Sequence, residues 1–193
     1  MSALPERTWT PEDYLAYERE GEVRHDYLDG KIYALAGASA NHNLVVGNAL
    51  ASLHSQLRQR PCRVFPSDMR LKVSRTGLYT YPDITIVCGE LRFEDEQHDT
   101  LLNPTVIVEV LSPSTEAFDR GKKLDSYRTI LSLQECVLIA QDECYVYVYT
   151  RQPDKGWLLT EATERDQVVE LVSINCQLPL TEVYRKVEFQ PHT

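Results

Sequence analysis

The sequence predicts a mixed α/β fold, α+β in type, in which helices flank a mixed β-sheet. The predicted elements run in the order helix, hairpin, helix, strands, helix, strands, which differs from the regular alternation of a wholly parallel fold. Residues 105–111 are apolar on both faces except for Glu109, as expected of a central strand. A chain of 193 residues with 42% hydrophobic content can bury one sizeable core, so residues 1–193 are predicted to form a single domain.

The first predicted elements are a short helix and a hairpin. A threonine cap, a proline and two acids at the start of residues 10–19 favour a helix there. The dipeptide Asp29-Gly30 separates residues 23–28 from residues 31–35 and suits a two-residue turn that needs positive φ. The flanking residues are therefore predicted to pair as antiparallel strands.

The central predicted elements are a long helix and a group of strands. Apolar residues recur at helical spacing from Val46 to Leu57, which predicts a helix over residues 39–60 that Pro61 ends. Threonine, isoleucine and valine then favour strands. The predicted elements here are strands over residues 62–66, 69–73 and 81–88, a turn at residues 74–77 and an acidic loop over residues 89–103.

The C-terminal half predicts one amphipathic helix followed by strands. Residues 119–131 place charged side chains on one side and apolar ones such as Leu124 on another, so this helix is predicted to pack on the sheet. Runs of strand-forming residues separated by polar turns follow. They predict antiparallel strands over residues 137–140, 145–150, 157–160 and 167–172, and a short helix near Thr181.

The net charge, the absence of long apolar runs and the spacing of the cysteines limit the classes of protein to which this chain can belong. Asp plus Glu number 29 against 20 Lys plus Arg, and the net charge of -9 is unlike that of a protein with a broad basic surface for nucleic acid. Residues 1–20 contain no apolar leader and no long apolar run occurs, which predicts a cytoplasmic protein without a membrane segment. The five cysteines form no Cys-x-x-Cys pair, so we expect reduced, mostly buried thiols.

Two acids in predicted strands are the first candidates for a site. Glu109 lies in the apolar strand, and Asp83 follows Pro82 at the start of another. An isolated charge is costly to bury, so each acid needs a partner such as a metal ion. A turn cap also explains Asp83, and an ion pair with Lys123 also explains Glu109, so both alternatives stay open.

Five segments carry a resemblance to a known family. They are residues 24–30 (RHDYLDG), 41–43 (NHN), 81–83 (YPD), 108–115 (VEVLSPST) and 119–128 (DRGKKLDSYR). In this order they resemble the Uma-type family of restriction-endonuclease-like proteins, common in cyanobacteria, over nearly the whole chain to about Trp157. The resemblance implies a PD-(D/E)XK nuclease core, here with an added antiparallel β region, in which two acids bind the metal used for phosphodiester cleavage.

The resemblance also implies roles for individual residues. Asp83 and Glu109 take the positions of the two acids that bind Mg²⁺ or Mn²⁺, and Asp26 takes the position of an early acid that is usually glutamate. Aspartate is one methylene shorter, so Asp26 would reach the metal directly or through a water. These three residues are the implied metal ligands, and with Lys123 they form the implied catalytic set.

The lysine of the fold is displaced in this sequence. It usually lies two residues after the second acid, and that position is Leu111. In the family a lysine on the following helix substitutes, and the spacing from Lys123 to Tyr127 matches that pattern and favours Lys123 over Lys122. Lys123 would orient the nucleophile or offset charge on the phosphate, and Tyr127 would assist.

Two structural or functional roles remain open for each of three further features: Asp26, His42 and residues 145–149. Asp26 is equally explained by hydrogen bonds to backbone groups beside the hairpin. His42, near the start of the long helix, either caps and packs there or contacts a phosphate. Residues 145–149 (YVYVY) supply a homodimer interface, which the resemblance suggests, or lie on a half-buried sheet.

Three functions are consistent with these residues. The retained acids and the relocated lysine favour a metal-dependent DNA endonuclease. Asp26, Leu111 and the acidic net charge favour a nuclease-like fold that binds nucleic acid or protein without cleavage. A domain in which Asp83, Glu109 and Lys123 form an ion-pair network would bind no divalent ion.

Overall fold

The computed structural model describes residues 8–113 and 116–189. Residues Ser114 and Thr115 of the VEVLSPST segment therefore lie outside the described residues. Within those two ranges, no helix has the length and apolar character needed to span a bilayer.

The first helix and hairpin are confirmed. Helix α1 (Pro11–Glu20) begins after Thr10, whose side chain accepts a hydrogen bond from the backbone N–H of Asp13. Strands β1 (His25–Leu28) and β2 (Lys31–Ala34) pair through a turn in which Asp29 and Gly30 have φ of 50° and 76°. The Asp-Gly dipeptide thus adopts the positive φ values that the two-residue turn requires.

The long helix α2 (Ala40–Leu57) is confirmed, with Ser39 as its N-cap. The Ser39 hydroxyl accepts a hydrogen bond from the His42 backbone N–H at 3.0 Å. The helix ends before the predicted residue 60, since the Arg60 backbone N–H closes a turn on the Leu57 carbonyl. The Arg60 guanidinium instead donates to the carbonyls of Ile174 and Asn175.

The strand predicted over residues 81–88 is shorter than expected and belongs to a chain segment that changes sheets. Pro82 lies between β5 and β6, where the chain passes from one sheet to the other. Proline has no N–H to donate to a strand ladder, so it interrupts the predicted strand there. The strands of this part are β3 (Cys62–Pro66), β4 (Arg70–Val73), β5 (Leu78–Thr80), β6 (Ile84–Cys88), β7 (Thr100–Leu101) and β8 (Val106–Leu111). Strand β5 lies in one sheet and β6 in another, and β7 lies within the acidic loop.

The helix predicted over residues 119–131 ends early, at Arg128, and is one part of a helical stretch that begins at Glu116 and is divided into three short pieces. They are α3 (Glu116–Phe118), a π-helical turn (Asp119–Lys123) and α4 (Leu124–Arg128). Gly121 interrupts the helix with φ -102° and ψ -108°. The chain continues through β9 (Glu135–Ala140), β10 (Val146–Arg151), β11 (Trp157–Ala162), β12 (Val168–Leu171), β13 (Cys176–Pro179) and α5 (Leu180–Val183).

The strands form a mixed arrangement of sheets. A five-stranded sheet has the order β2-β1-β5-β4-β7, a six-stranded sheet has the order β11-β10-β9-β8-β6-β3, and β12 pairs with β13. Strands β9, β10 and β11 are antiparallel as predicted, whereas β8 and β9 are parallel. A parallel pair needs a crossover connection, and the pieces from α3 to α4 provide it across one face of the six-stranded sheet.

The two faces of the six-stranded sheet bury separate apolar clusters. Helices α2 and α5 pack with Val108 and Ile139 on one face. On the other face Leu124 and Tyr127 of α4 pack with Ile107. Side chains alternate along a strand, so Glu109 projects to the α4 face.

The expectation of reduced thiols is wrong for two cysteines. Cys62 and Cys88 form a disulfide, and their Cα atoms are 3.9 Å apart. They are direct partners in the antiparallel pairing of β3 and β6, which the spacing of cysteines along the chain does not reveal. Cys136, Cys144 and Cys176 are free thiols.

Candidate functional site

A cleft of about 680 Å³ brings the predicted site residues together. The cleft is lined by side chains from both large sheets, from the start of α2 and from the π-helical turn. The predicted residues that line it are Asp26, His42, Asp83, Glu109 and Lys123. Tyr127 lies behind Glu109 and is fully buried.

The fold explains how residues distant in sequence meet at this cleft. Ile84 of β6 pairs with Val108 of β8, so Asp83, the residue just before β6, lies beside Glu109 of β8. Asp26 comes from β1 of the five-stranded sheet. Lys123 is the last residue of the π-helical turn in the parallel crossover, and its side chain is only 7% exposed.

The Glu109 carboxylate contacts two side chains of the crossover, Lys123 and Tyr127. The Lys123 Nζ lies 2.9 Å from Glu109 Oε1, and the Tyr127 hydroxyl donates to the same oxygen at 2.6 Å. All three side chains are buried. The contact between Glu109 and Lys123 that the ion-pair interpretation requires is therefore present.

Asp83 is held by the neighbouring strand and contacts helix α2. The Val110 backbone N–H donates to Asp83 Oδ2 at 2.7 Å, and His42 Nε2 lies 3.4 Å from the same oxygen. Burial opposes the charged form of His42, but the adjacent carboxylates of Asp83 and Glu109 outweigh it and raise its pKa. His42 therefore faces the acids of the cleft rather than only packing at the helix start.

Asp26 lines the cleft and is hydrogen-bonded by the Thr80 side chain and the Tyr81 backbone. The residue is 2% exposed, and its Oδ1 has no hydrogen-bond partner among the described residues. Burial raises the pKa of Asp26, although the charge of Lys123 acts in the opposite direction. A buried oxygen without a partner is costly, which marks Asp26 as a residue that a ligand would satisfy.

A fourth acid, Asp119, was not predicted as a site residue. It begins the π-helical turn, is 6% exposed and lines the cleft. Its Oδ1 lies 3.4 Å from Lys123 Nζ. The signal in the sequence was its spacing of four residues from Lys123, which places two helical side chains on one face.

The acids outnumber the cations near the floor of the cleft. The cleft is lined by Lys123, the one lysine among its described lining residues, and by acids that include Asp26, Asp83, Glu109 and Asp119. Burial raises the pKa of Glu109 to about 8 even though Lys123 favours its charged form. Burial disfavours charge on Lys123 too, but Glu109 and the other acids raise its pKa well above its ordinary value. Lys123 thus stays protonated at neutral pH. The raised pKa values of Glu109 and Asp26 mean that these carboxyls favour the protonated form unless a further cation offsets their charge.

The carboxylates of the cleft are of the ligand type that a hard divalent cation prefers. Carboxylate oxygens are the ligands that Mg²⁺ prefers, and Mg²⁺ usually keeps several waters and takes only one or two protein carboxylates. No group of three or more His, Cys, Asp or Glu side chains among the described residues is arranged as a metal site. Asp83 and Glu109 are therefore the two candidate protein ligands, and Asp26 lines the same cleft.

The fold is similar to that of a solved structure, described as a putative nuclease belonging to DUF820 from Anabaena variabilis ATCC 29413. The TM-score is 0.72 at 22% sequence identity, over 90% of this chain and 96% of the other. The predicted restriction-endonuclease-like core, a mixed sheet flanked by helices with an added antiparallel region, is confirmed.

Two relatives from Synechocystis sp. match over most of their length. The uncharacterized protein sll1609 is 38% identical over 83% of this chain and 91% of its own. The uncharacterized protein slr1290 is 33% identical over 93% of each chain. A family model described as "Uma2: Putative restriction endonuclease" matches residues 11–181. The resemblance seen in the five sequence segments is thereby confirmed, and the chain belongs to the Uma2 family.

Proposed function

We propose that this protein is a metal-dependent DNA endonuclease that hydrolyses phosphodiester bonds. The observation that carries the proposal is a group of mostly buried carboxylates that line one cleft with a single lysine, and one oxygen of Asp26 in this group has no hydrogen-bond partner among the described residues. Asp83 and Glu109 would hold Mg²⁺ or Mn²⁺, and Asp26 would do so directly or through water. The descriptions of the Uma2 family as a "putative restriction endonuclease" and of the similar Anabaena protein as a "putative nuclease" support it.

A bound divalent cation would polarise the phosphate and lower the pKa of the attacking water. Lys123 would place its ammonium beside the phosphate and offset the negative charge that grows in the transition state. The Tyr127 hydroxyl orients Glu109 through their 2.6 Å hydrogen bond. His42, which begins α2 beside Asp83, would contact a non-bridging phosphate oxygen.

The charge of the cleft bears on how DNA would bind. Acidic side chains outnumber basic ones in its lining, so a phosphate would be repelled until a cation balances that charge. Cleavage and DNA binding should therefore both depend on divalent ions. We extend the proposal to a cytoplasmic homodimer, for which the half-buried Tyr145 and Tyr149 are the candidate contact residues, because Tyr147 between them is buried against the sheet.

The test is cleavage of plasmid, single-stranded and branched DNA in Mg²⁺ or Mn²⁺. Asp83→Asn, Glu109→Gln and Lys123→Ala should each lower the rate about 100-fold or more, the range for loss of one transition-state contact. Lys122→Ala is the matched control, because it removes the adjacent lysine outside the cleft lining and should keep the wild-type rate. Cleavage that survives in the three site variants would refute the assignment. So would a folded wild-type protein that neither cleaves DNA nor binds a divalent ion.

A second candidate is a nuclease-like fold that binds DNA or protein without cleavage. The 2.9 Å contact between Lys123 and Glu109 favours it, because each group already satisfies the other. Divalent-ion binding and DNA binding without strand cleavage, under every substrate and ion tried, would select this candidate.

A further inference from the structure

A second buried polar cluster lies directly behind the cleft, at Glu18 of helix α1. Glu18 is fully buried, and its carboxylate has three partners. Oε1 accepts hydrogen bonds from the His25 backbone N–H at 2.8 Å and from the Tyr81 hydroxyl at 3.0 Å. Oε2 lies 2.9 Å from His25 Nδ1, and a carboxylate partner requires that this nitrogen bear the proton.

Both partners of Glu18 are close in sequence to proposed metal ligands. His25 immediately precedes Asp26 on β1, and Tyr81 lies two residues before Asp83. One carboxylate thus joins the backbone that carries Asp26 to the segment that carries Asp83, although these two acids come from different parts of the fold. Burial raises the pKa of Tyr81 to about 12, so its hydroxyl keeps the proton that it donates.

The cluster is anchored from its far side by an arginine. Arg70 is 3% exposed, and its Nη1 donates to the Tyr81 hydroxyl oxygen at 3.0 Å. Its Nε donates to Thr100 Oγ1, and Nη2 lies 2.9 Å from Asp99 Oδ2. Arg19 of α1 pairs with Asp99 as well. The acidic loop therefore supplies internal partners, and the Tyr81 ring is fixed between Glu18 and Arg70.

We propose that Glu18 is a positioning residue, which sets the separation of the Asp26 and Asp83 carboxylates through His25 and Tyr81. The role follows from the three contacts of one buried carboxylate to the two segments. The part that concerns metal affinity rests on the proposed metal site. Groups that orient metal ligands typically change metal affinity 10- to 100-fold when they are altered.

The test compares Glu18→Gln with a matched control, Glu135→Gln. Glu135 is also fully buried and accepts three hydrogen bonds, from the Val172 and Ser173 backbone N–H groups and the Ser173 hydroxyl, but it ties β9 to a segment away from the cleft. Both variants should lose thermal stability. By calorimetric titration with Mn²⁺, Glu18→Gln should bind at least about 10-fold more weakly than wild type, and Glu135→Gln should match wild type.

Crystal structures of the two variants give a readout that needs no bound metal. In Glu18→Gln the Asp26 or Asp83 carboxylate should move by about 0.5 Å or more, the tolerance of a functional site, while both stay in place in Glu135→Gln. If Glu18→Gln does not fold, Tyr81→Phe removes the hydroxyl alone and should displace Asp83.

The outcomes separate the two proposals. Unmoved carboxylates in Glu18→Gln, or equal Mn²⁺ binding by Glu18→Gln and wild type, would overturn the positioning role. A wild-type protein that binds no Mn²⁺ would overturn the metal site instead, and displaced carboxylates in Glu18→Gln would still support the positioning role.

Discussion

Glu109→Gln should remove a fall in stability that the metal-free wild-type protein shows as pH rises from about 5 to about 8. Burial raises the pKa of Glu109 from 4.5 to about 8. The unfolded chain loses this proton near 4.5, so between the two values the folded state binds more protons than the unfolded state. The contribution of Glu109 is therefore fully present below about pH 4.5 and is lost as pH rises towards about 8.

The magnitude follows from the same two values. One pH unit across this interval is worth about 1.4 kcal/mol, so the full change would be about 5 kcal/mol. Asp26 shares the cleft and its pKa is raised too, so part of the proton uptake belongs to it. We therefore expect Glu109 to account for about 3–5 kcal/mol of the free energy of unfolding over this range.

The assay is urea-induced unfolding in the presence of EDTA at four pH values from about 5 to about 8. The free energy of unfolding of Glu109→Gln relative to wild type should rise with pH, because glutamine mimics the protonated acid. Glu170→Gln, at an exposed position of β12, controls for the loss of one charge. A difference between Glu109→Gln and wild type that stays constant across this pH range would refute the reasoning.

Two further predictions concern the backbone. The Cys62–Cys88 disulfide joins residues 26 positions apart, and replacing both cysteines by serine should cost about 2–4 kcal/mol in chemical unfolding, whereas Cys144→Ser should stay within about 0.5 kcal/mol. Gly30→Ala should cost about 1–2 kcal/mol, because Gly30 has φ of +76° and an added Cβ would lie 3.0 Å from Thr8 Cγ2. Gly47→Ala in α2, with no atom within 4 Å of the added Cβ, should instead be neutral or stabilising, and a loss above about 1 kcal/mol there would contradict this contrast.

The elements with strong local signals were predicted from the sequence. Thr10, Asp29-Gly30 and the apolar run around Glu109 each act within a few residues of chain, and the corresponding helix, hairpin and buried strand are confirmed. Strand β13 was missed, and the parallel pairing of β8 with β9 was not predicted. Sheet order and register depend on contacts between distant segments, which a local pattern does not contain.

The candidate site was predicted only in part, because some of its residues have a local or family signal and others depend on contacts between distant segments. Glu109 stood out because a charge in an apolar strand needs a partner, and Lys123 was found only through the family pattern. The spacing of four residues from Lys123 was the one sequence signal for Asp119, and it does not show that the π-helical turn and the crossover place this acid in the cleft. The disulfide was missed because it depends on the pairing of β3 with β6.

The lysine of the cleft comes from the crossover, whereas two of its acids come from β8 and from the chain beside β6. A strand-borne lysine would keep its distance from the acids as long as the sheet survives. Lys123 instead depends on the packing of one short helical stretch, in which Gly121 has a non-helical backbone conformation. Short segments of this kind open at lower free energy than a sheet core does. Heating should therefore separate Lys123 from Glu109 below the temperature at which the six-stranded sheet melts, so inactivation would precede global denaturation.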